Sequence, residues 1–589
     1  MDICVLCGVF RYRRTHIEGV SLRTRIPQPV LFGYLLQSSF PAPRLYLFPT
    51  VESFVFGLRK LSRASNLPES SVSNVLLASS LPGGLCRISR DRALRVDASW
   101  RIMVGLFFRL REKKLLGTAS GGVEYLVGVI SSVKAMPDRR FRILMLPWLA
   151  HGHLVPYMEL ANELHDRNFD IYLCSTPVVI SSAKSSSSFN SDKIHTVEIH
   201  LRPTGDFPEL LSPSRHTTKD LPRHLIFPLC KAFRMASPSF CDILDQIKPD
   251  LLIYDLFQPW AAEAAATRKI PAVYYGITGA ASIAFTHHFL HKGSIHGFPF
   301  PAVCMKPHEL KNLSKSAENI DPVDRTAIPR ALEVSTKICL INTSRDIEGK
   351  YIDYISEKLG KTAVPIGSLI QAQQKKGGKE DEEDSEIMKW LDGKQKHSTL
   401  YLSFGSEYYL TREEIQEVAK GLELSGANFI WVIRFPVGEE TPLEEALPKG
   451  FLERVKGRGI IVEKWAPQIK ILSHPSVGGF VMQCGWNSFL ESIHFGIPLI
   501  AIPMHSEQFV TARMAVELGI ATEVLRDEDG RLHAEDIGKA VKSVVAEKAG
   551  EEMRAKVREV NAQMKIKGKQ AIDNTAALLS ELCLSNNSS

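Results

Sequence analysis

From residue 141 onward, short apolar runs alternate with amphipathic helical stretches, and the series occurs twice. A run of four to eight apolar residues followed by a helix is a βα unit; its strands pair in parallel and are buried on both faces by the helices that connect them. The first series places strands at 141–148, 170–175, 250–254, 271–275 and 337–342, with a helix from Pro156 to about Arg167 that carries proline in its first turn. The second places them at 399–404, 429–434, 459–465, 477–483, 498–503 and 521–525. Between the two lies a lysine- and acid-rich stretch, residues 371–386, with too few apolar side chains to bury anything, which reads as an exposed linker. The expected fold class is α/β, with two tandem Rossmann-like doubly wound domains, at 136–370 and 387–550, facing a cleft. Ligands of such sheets sit beyond the carboxyl ends of the strands.

Composition narrows the function. The chain has 589 residues, of which 44% are hydrophobic and 23% charged, in the range of a globular enzyme of several domains. The net charge of +7 is misleading, because residues 1–135 hold 19 Lys and Arg against 8 Asp and Glu, leaving the remainder slightly acidic. A nucleic-acid-binding protein therefore has neither a motif nor a basic array behind it. Residues 1–135 read as an atypical basic N-terminal extension of little stable structure. Two readings compete for it, an Arg- and Ser-rich transit peptide and an over-extended gene model with its start at Met136, and the second is preferred. Ten widely scattered cysteines fit a reducing compartment, and no apolar stretch is long enough to span a membrane, so a cytoplasmic protein is expected.

In the second series, the run 477–483 leads into Cys484-Gly485-Trp486-Asn487-Ser488 and then a helical pattern. A strand–loop–helix of this kind aims backbone N–H groups at an anion above the turn; Gly485 allows close approach, and Asn487 or Ser488 can cap the helix or donate to a phosphate. Ser488-x-x-Glu491 is equally a plain capping box. A second small-residue loop, Phe404-Gly405-Ser406, precedes the box Thr411-x-x-Glu414 on the same sheet edge.

The whole string over residues 465–508, WAPQIKILSHPSVGGFVMQCGWNSFLESIHFGIPLIAIPMHSEQ, goes further. It resembles, in length and fixed positions, the signature box of the plant family-1 UDP-glycosyltransferases, whose fold is of the GT-B type. The resemblance implies a UDP-sugar site. Trp465 stacks on uracil, with Ala466 and Gln468 beside the nucleoside and Glu491 accepting from the ribose hydroxyls. Ser406, Gly485, Asn487 and Ser488 hold the diphosphate, and Trp486, Glu507 and Gln508 face the sugar. One position departs from the pattern: Gln483 stands where the family box carries a diphosphate-binding histidine.

The same resemblance places the catalytic base in the loop 150–156, where His153 matches the family position, with Asp255 as the carboxylate that orients it; His151 reads as incidental. An inverting displacement follows, with UDP-glucose as donor co-substrate and no metal or other cofactor. The acceptor is a small molecule. Looser likeness in LIYDLFQPWAAEAAA and SFGSEYYLTREEI points to the branch that lengthens a sugar already attached to an acceptor, such as glucosyl-crocetin 1,6-glucosyltransferases. The resemblance also implies a monomer whose C-terminal helical segment, 551–589, returns to the first domain. The competing reading is a UDP-sugar-binding protein with little or no turnover because of Gln483, against which the presence of both His153 and Asp255 argues.

Overall fold

The structure, a computed structural model, describes residues 3–8, 32–37, 45–48, 139–201, 208–318, 321–370, 382–405, 409–435, 442–505 and 507–586. The chain divides into two compact units, 1–137 and 138–589. In the first, β1 (Ile3–Gly8), β2 (Phe32–Gln37) and β3 (Leu45–Phe48) pair antiparallel in that order. The rest of the expectation for residues 1–135 lies outside the described residues.

The second unit holds two parallel sheets. The first has seven strands: β4 (Phe141–Leu146), β5 (Phe169–Ser175), β6 (Ile194–Glu198), β7 (Leu251–Tyr254), β8 (Ala272–Gly276), β9 (Ile338–Ile341) and β10 (Thr362–Pro365), in the order β10-β9-β8-β7-β4-β5-β6. The second has six: β11 (Thr399–Ser403), β12 (Asn428–Val432), β13 (Gly459–Val462), β14 (Val477–Met482), β15 (Leu499–Ala501) and β16 (Ala521–Glu523), in the order β13-β12-β11-β14-β15-β16. The central strands β7, β8, β9 and β14 are buried along their whole length, as strands covered on both faces must be.

In each sheet the strand order reverses once, between β4 and β7 in the first and between β11 and β14 in the second. A crevice opens at such a reversal because the connections on its two sides leave in opposite directions. His153 follows β4 and Asp255 follows β7; Gly405 follows β11 and Gln483 follows β14. The topology therefore delivers the candidate residues to the two places where a doubly wound sheet binds ligands.

Three local features differ from the sequence expectation. The helix after β4 spans His151–His165, so Pro156 is its sixth residue and lies inside it. The capping box Ser488-x-x-Glu491 does not form, because the helix Trp486–Phe495 has Gly485 at its N-cap and no side-chain cap bond. The stretch expected as a linker at 371–386 ends inside a helix, Glu382–Asp392, while 371–381 lie outside the described residues. The box at Thr411 does form, with Thr411 Oγ1 accepting from the Glu414 N–H and the Glu414 carboxylate accepting from the Thr411 N–H.

The last helix, Lys548–Asn586, reaches both sheets. Near its start the buried Arg554 donates to the carbonyl of Gly478 at 3.0 Å, and Asn561 donates to that of His494 at 2.6 Å. Further on, Asp573 pairs with Arg167 at 2.8 Å. Among the described residues no helix is long and apolar enough to cross a membrane.

Candidate active site

On the first sheet, His153 Nδ1 lies 2.8 Å from Asp255 Oδ2, with the carboxylate 1% exposed and the imidazole 18%. Asp255 also accepts from two backbone N–H groups, Trp148 to Oδ2 at 3.0 Å and Leu256 to Oδ1 at 2.7 Å. A carboxylate surrounded by donors offers only lone pairs, so the proton between it and the ring belongs to Nδ1, and Nε2 is the acceptor nitrogen of the neutral ring. Burial of the aspartate fixes the ring where a mobile side chain would wander.

On the second sheet, Cys484 has φ +68, the left-handed backbone rarely adopted by a side-chain-bearing residue, and this sharp turn starts the helix Trp486–Phe495 directly beyond β14. The N–H groups of residues 486–488 precede the first intrahelical bond, from Phe489 N to Gly485 O, and so are free of helix partners. Gln483, 8% exposed, lies between the two small-residue loops: a Cβ at Gly405, whose φ is +81, would fall 2.2 Å from its Nε2, and one at Gly485 would fall 3.3 Å away. The left-handed backbone favours glycine at 405, and any side chain there would displace that amide. Ser406 lies outside the described residues.

The nucleoside candidates form one cluster. Gln468 donates through Nε2 to Ser488 Oγ at 3.0 Å and to Glu491 Oε2 at 2.5 Å, and its Oε1 accepts from Tyr401 at 3.3 Å. Burial pushes the Glu491 carboxyl up to about 7, against the stabilising bond from Gln468. Ala466 is buried, whereas Trp465 is 68% exposed.

Other candidates are engaged elsewhere in this structure. Trp486, 5% exposed, donates through Nε1 to the carbonyl of Asn342 at 2.7 Å, across the cleft. Asn487 donates to the carbonyl of Gly152 at 2.7 Å, also across it. Gln508 folds onto its own loop, its Oε1 accepting from the N–H groups of Met504 at 3.2 Å and His505 at 3.3 Å. The carbonyl of Glu507 is 3.4 Å from Ser282 Oγ.

Three residues that the sequence did not single out make tertiary contacts around these groups. His151 meets the ring of Trp465 edge-on, with centroids 5.8 Å apart and an interplanar angle of 85°. Glu159, six residues along the His153 helix, has its carboxyl raised to about 8 by burial and then by the charge of Glu491 on the facing helix. Glu348 is fully buried and caps the helix Ala280–Lys292, accepting from the N–H groups of Ala280 at 2.7 Å and Ala281 at 2.8 Å and from Thr343 Oγ1 at 2.5 Å; burial nevertheless raises its carboxyl to about 6. An isolated glutamate in a helical pattern carries no signal of these tertiary roles. Among the described residues no group of three or more His, Cys, Asp or Glu is placed to hold a metal ion.

Comparison with known proteins agrees with this fold. Residues 140–370 match the model of a glycosyltransferase N-terminal domain, and residues 369–561 match that of UDP-glucoronosyl and UDP-glucosyl transferases. The beta-D-glucosyl crocetin beta-1,6-glucosyltransferase of Gardenia jasminoides is 43% identical over 446 residues, which cover 74% of this chain and 98% of that protein. A mogroside IIIx synthase of Siraitia grosvenorii is 44% identical over 444 residues, 74% of this chain and 97% of that one. Among solved structures, UGT2 of Phytolacca americana, complexed with UDP-2fluoro-glucose and pterostilbene, superposes with a TM-score of 0.59 at 26% identity, covering 75% of this chain and 99% of that one. With relatives matched over nearly their whole length and both sheets accounted for, the chain belongs to the plant family-1 UDP-glycosyltransferases.

Proposed function

We propose that this enzyme transfers glucose from UDP-glucose to a hydroxyl of a sugar already carried by a small-molecule acceptor, with inversion at the anomeric carbon. The observation that carries the reading is the buried His153–Asp255 pair at the first sheet's reversal, whose neighbouring Gly152 carbonyl accepts a hydrogen bond across the cleft from Asn487 on the donor-side helix. His153 Nε2 takes the proton of the acceptor hydroxyl as its oxygen attacks the anomeric carbon. The bond from that carbon to the diphosphate oxygen breaks, UDP departs with the electron pair, and Asp255 stabilises the imidazolium. Trp465 stacks on uracil; Gln468 and Glu491 take the nucleoside; Ser406, Gln483 and the N–H groups of 486–488 receive the diphosphate, whose leaving charge needs no metal at a helix N-terminus. Trp486, Glu507 and Gln508 bound the sugar.

The acceptor class is supported by the Gardenia relative, a beta-1,6-glucosyltransferase of beta-D-glucosyl crocetin. A product assay with UDP-glucose tests it, using a panel of aglycones beside their monoglucosides. Turnover of the glucosides well above that of the aglycones is expected. Turnover of aglycones alone overturns the acceptor assignment, and no product with any acceptor overturns the transferase reading.

A further inference from the structure

In the helix His151–His165 each carbonyl accepts from the N–H four residues on, so the carbonyl of Gly152 is owed a bond by residue 156. Residue 156 is proline, which has no N–H, and its ring pushes the carbonyl four residues back away from the helix axis. That carbonyl instead accepts from Asn487 Nδ2 at 2.7 Å, on the facing helix Trp486–Phe495. Gly152 immediately precedes His153, and Asn487 is the second residue of its helix. This hydrogen bond joins the turn that carries His153 to the turn at the start of the helix Trp486–Phe495.

We propose that Asn487 is a positioning residue, which sets His153 against the donor by binding the one carbonyl that Pro156 leaves open. Its side chain is committed to the opposite domain, so its contribution to the diphosphate is made by its backbone N–H. The glycine itself is not what permits the approach. A Cβ at 152 would sit 3.9 Å from Asn487 Nδ2, an ordinary contact, so the feature that matters is the carbonyl and the missing donor at 156. Because in-line attack tolerates little error, with about 1 Å of misplacement costing on the order of a hundredfold in rate, one bond between these turns can govern turnover.

The inference rests on the transferase reading, and the double-mutant cycle Pro156→Ala, Asn487→Ala and the pair separates the two. Pro156→Ala gives the helix its missing N–H and draws the Gly152 carbonyl inward. It is expected to leave the thermal midpoint unchanged or higher while kcat falls by about tenfold, a combination that a merely structural role for proline does not produce. Asn487→Ala is expected to lower kcat by a similar factor with little change in KM for UDP-glucose. The double variant should be no slower than Asn487→Ala alone. Multiplying losses, an unchanged kcat in either single variant, or a loss confined to KM for UDP-glucose each overturn the proposal while leaving a turning-over wild type, and so the transferase reading, intact. Hydrogen exchange of the segment 150–156 in the unliganded protein reads the contact without turnover: faster exchange in Asn487→Ala supports it, and unchanged exchange counts against it.

Discussion

The two strand-order reversals hold their polar groups in opposite states. At the first, His153 and Asp255 are already paired, and the aspartate's remaining lone pairs are filled by backbone donors. At the second, the candidate donor contacts are closed on one another or on the other half of the molecule: Gln468 on Ser488 and Glu491, Gln508 on its own loop, Trp486 across the cleft. The base side is preorganised, whereas a donor entering the second sheet's crevice must exchange protein partners for its own hydroxyls. Preorganised groups act in the chemical step, and exchangeable ones act in binding. Substitutions on the two sides should therefore separate into kcat and KM effects, with Asn487, whose side chain bonds the turn of the base, falling on the kcat side.

The largest effect is expected on the preorganised side. His153→Ala removes the proposed base, and kcat should fall by about 10²- to 10⁴-fold, the usual contribution of a positioned general base, with KM for UDP-glucose nearly unchanged. Steady-state kinetics at saturating acceptor measure it. Turnover equal to wild type would remove His153 from the mechanism and leave the contrast between the two reversals without a catalytic meaning.

A smaller effect is expected from the exchangeable side, and it depends on pH. In the proposed assignment Glu491 accepts from ribose hydroxyls, which favours its ionised form, yet its carboxyl is held up at about 7 in the unliganded protein. Donor binding should therefore strengthen as pH rises through 7. The ionised fraction changes by about tenfold between pH 6 and 8, which bounds the gain in affinity at about tenfold. Stability runs the other way: a folded carboxyl raised above its unfolded value of about 4.3 contributes fully below that value, and the contribution is lost as pH rises toward 7. Calorimetric Kd values for UDP at pH 6 and 8, in wild type and in Glu491→Gln, isolate this term, because the variant retains the titration of UDP itself. Equal pH slopes in the two proteins would exclude Glu491 as its source.

The sequence made the same division legible only in part. The buried central strands announced themselves because a strand covered on both faces is an unbroken apolar run, as at 251–254 and 477–482. The edge strands β6 and β10 escaped, since IHTVE and TAVP mix polar and apolar residues where one side meets solvent. The His153–Asp255 pair was reached through likeness to a family; 102 residues of separation carry no distance by themselves, and the parallel pairing of β4 with β7 is what brings the two together. Spacing alone misled at Pro156 and at Ser488. A proline reads as a helix start and a Ser-x-x-Glu as a cap, but here the proline is interior and the serine and glutamate both turn to Gln468. Tertiary partners outcompeted the local ones.

The smallest expected effect sharpens the comparison most, because it concerns Gln483, where the resemblance to the family box implies a histidine. Gln483 lies between Gly405 and Gly485, at the second reversal, with its amide within reach of both loops. A neutral amide gives a diphosphate a hydrogen bond of about 0.5–1.5 kcal/mol, where a protonated imidazole would give about 1.5–3. The difference, about 1 kcal/mol, is roughly fivefold in affinity. Gln483→His should therefore lower KM for UDP-glucose by about fivefold near pH 6, where imidazole is charged, and by less at pH 8, with kcat moving little if the position acts in binding. A rise in kcat instead would place residue 483 on the leaving group in the transition state and would move the second reversal from binding into chemistry. No change at either pH would mean that the carboxamide already satisfies the diphosphate oxygen, and that the N–H groups of the helix Trp486–Phe495 supply the electrostatic part of the site without it.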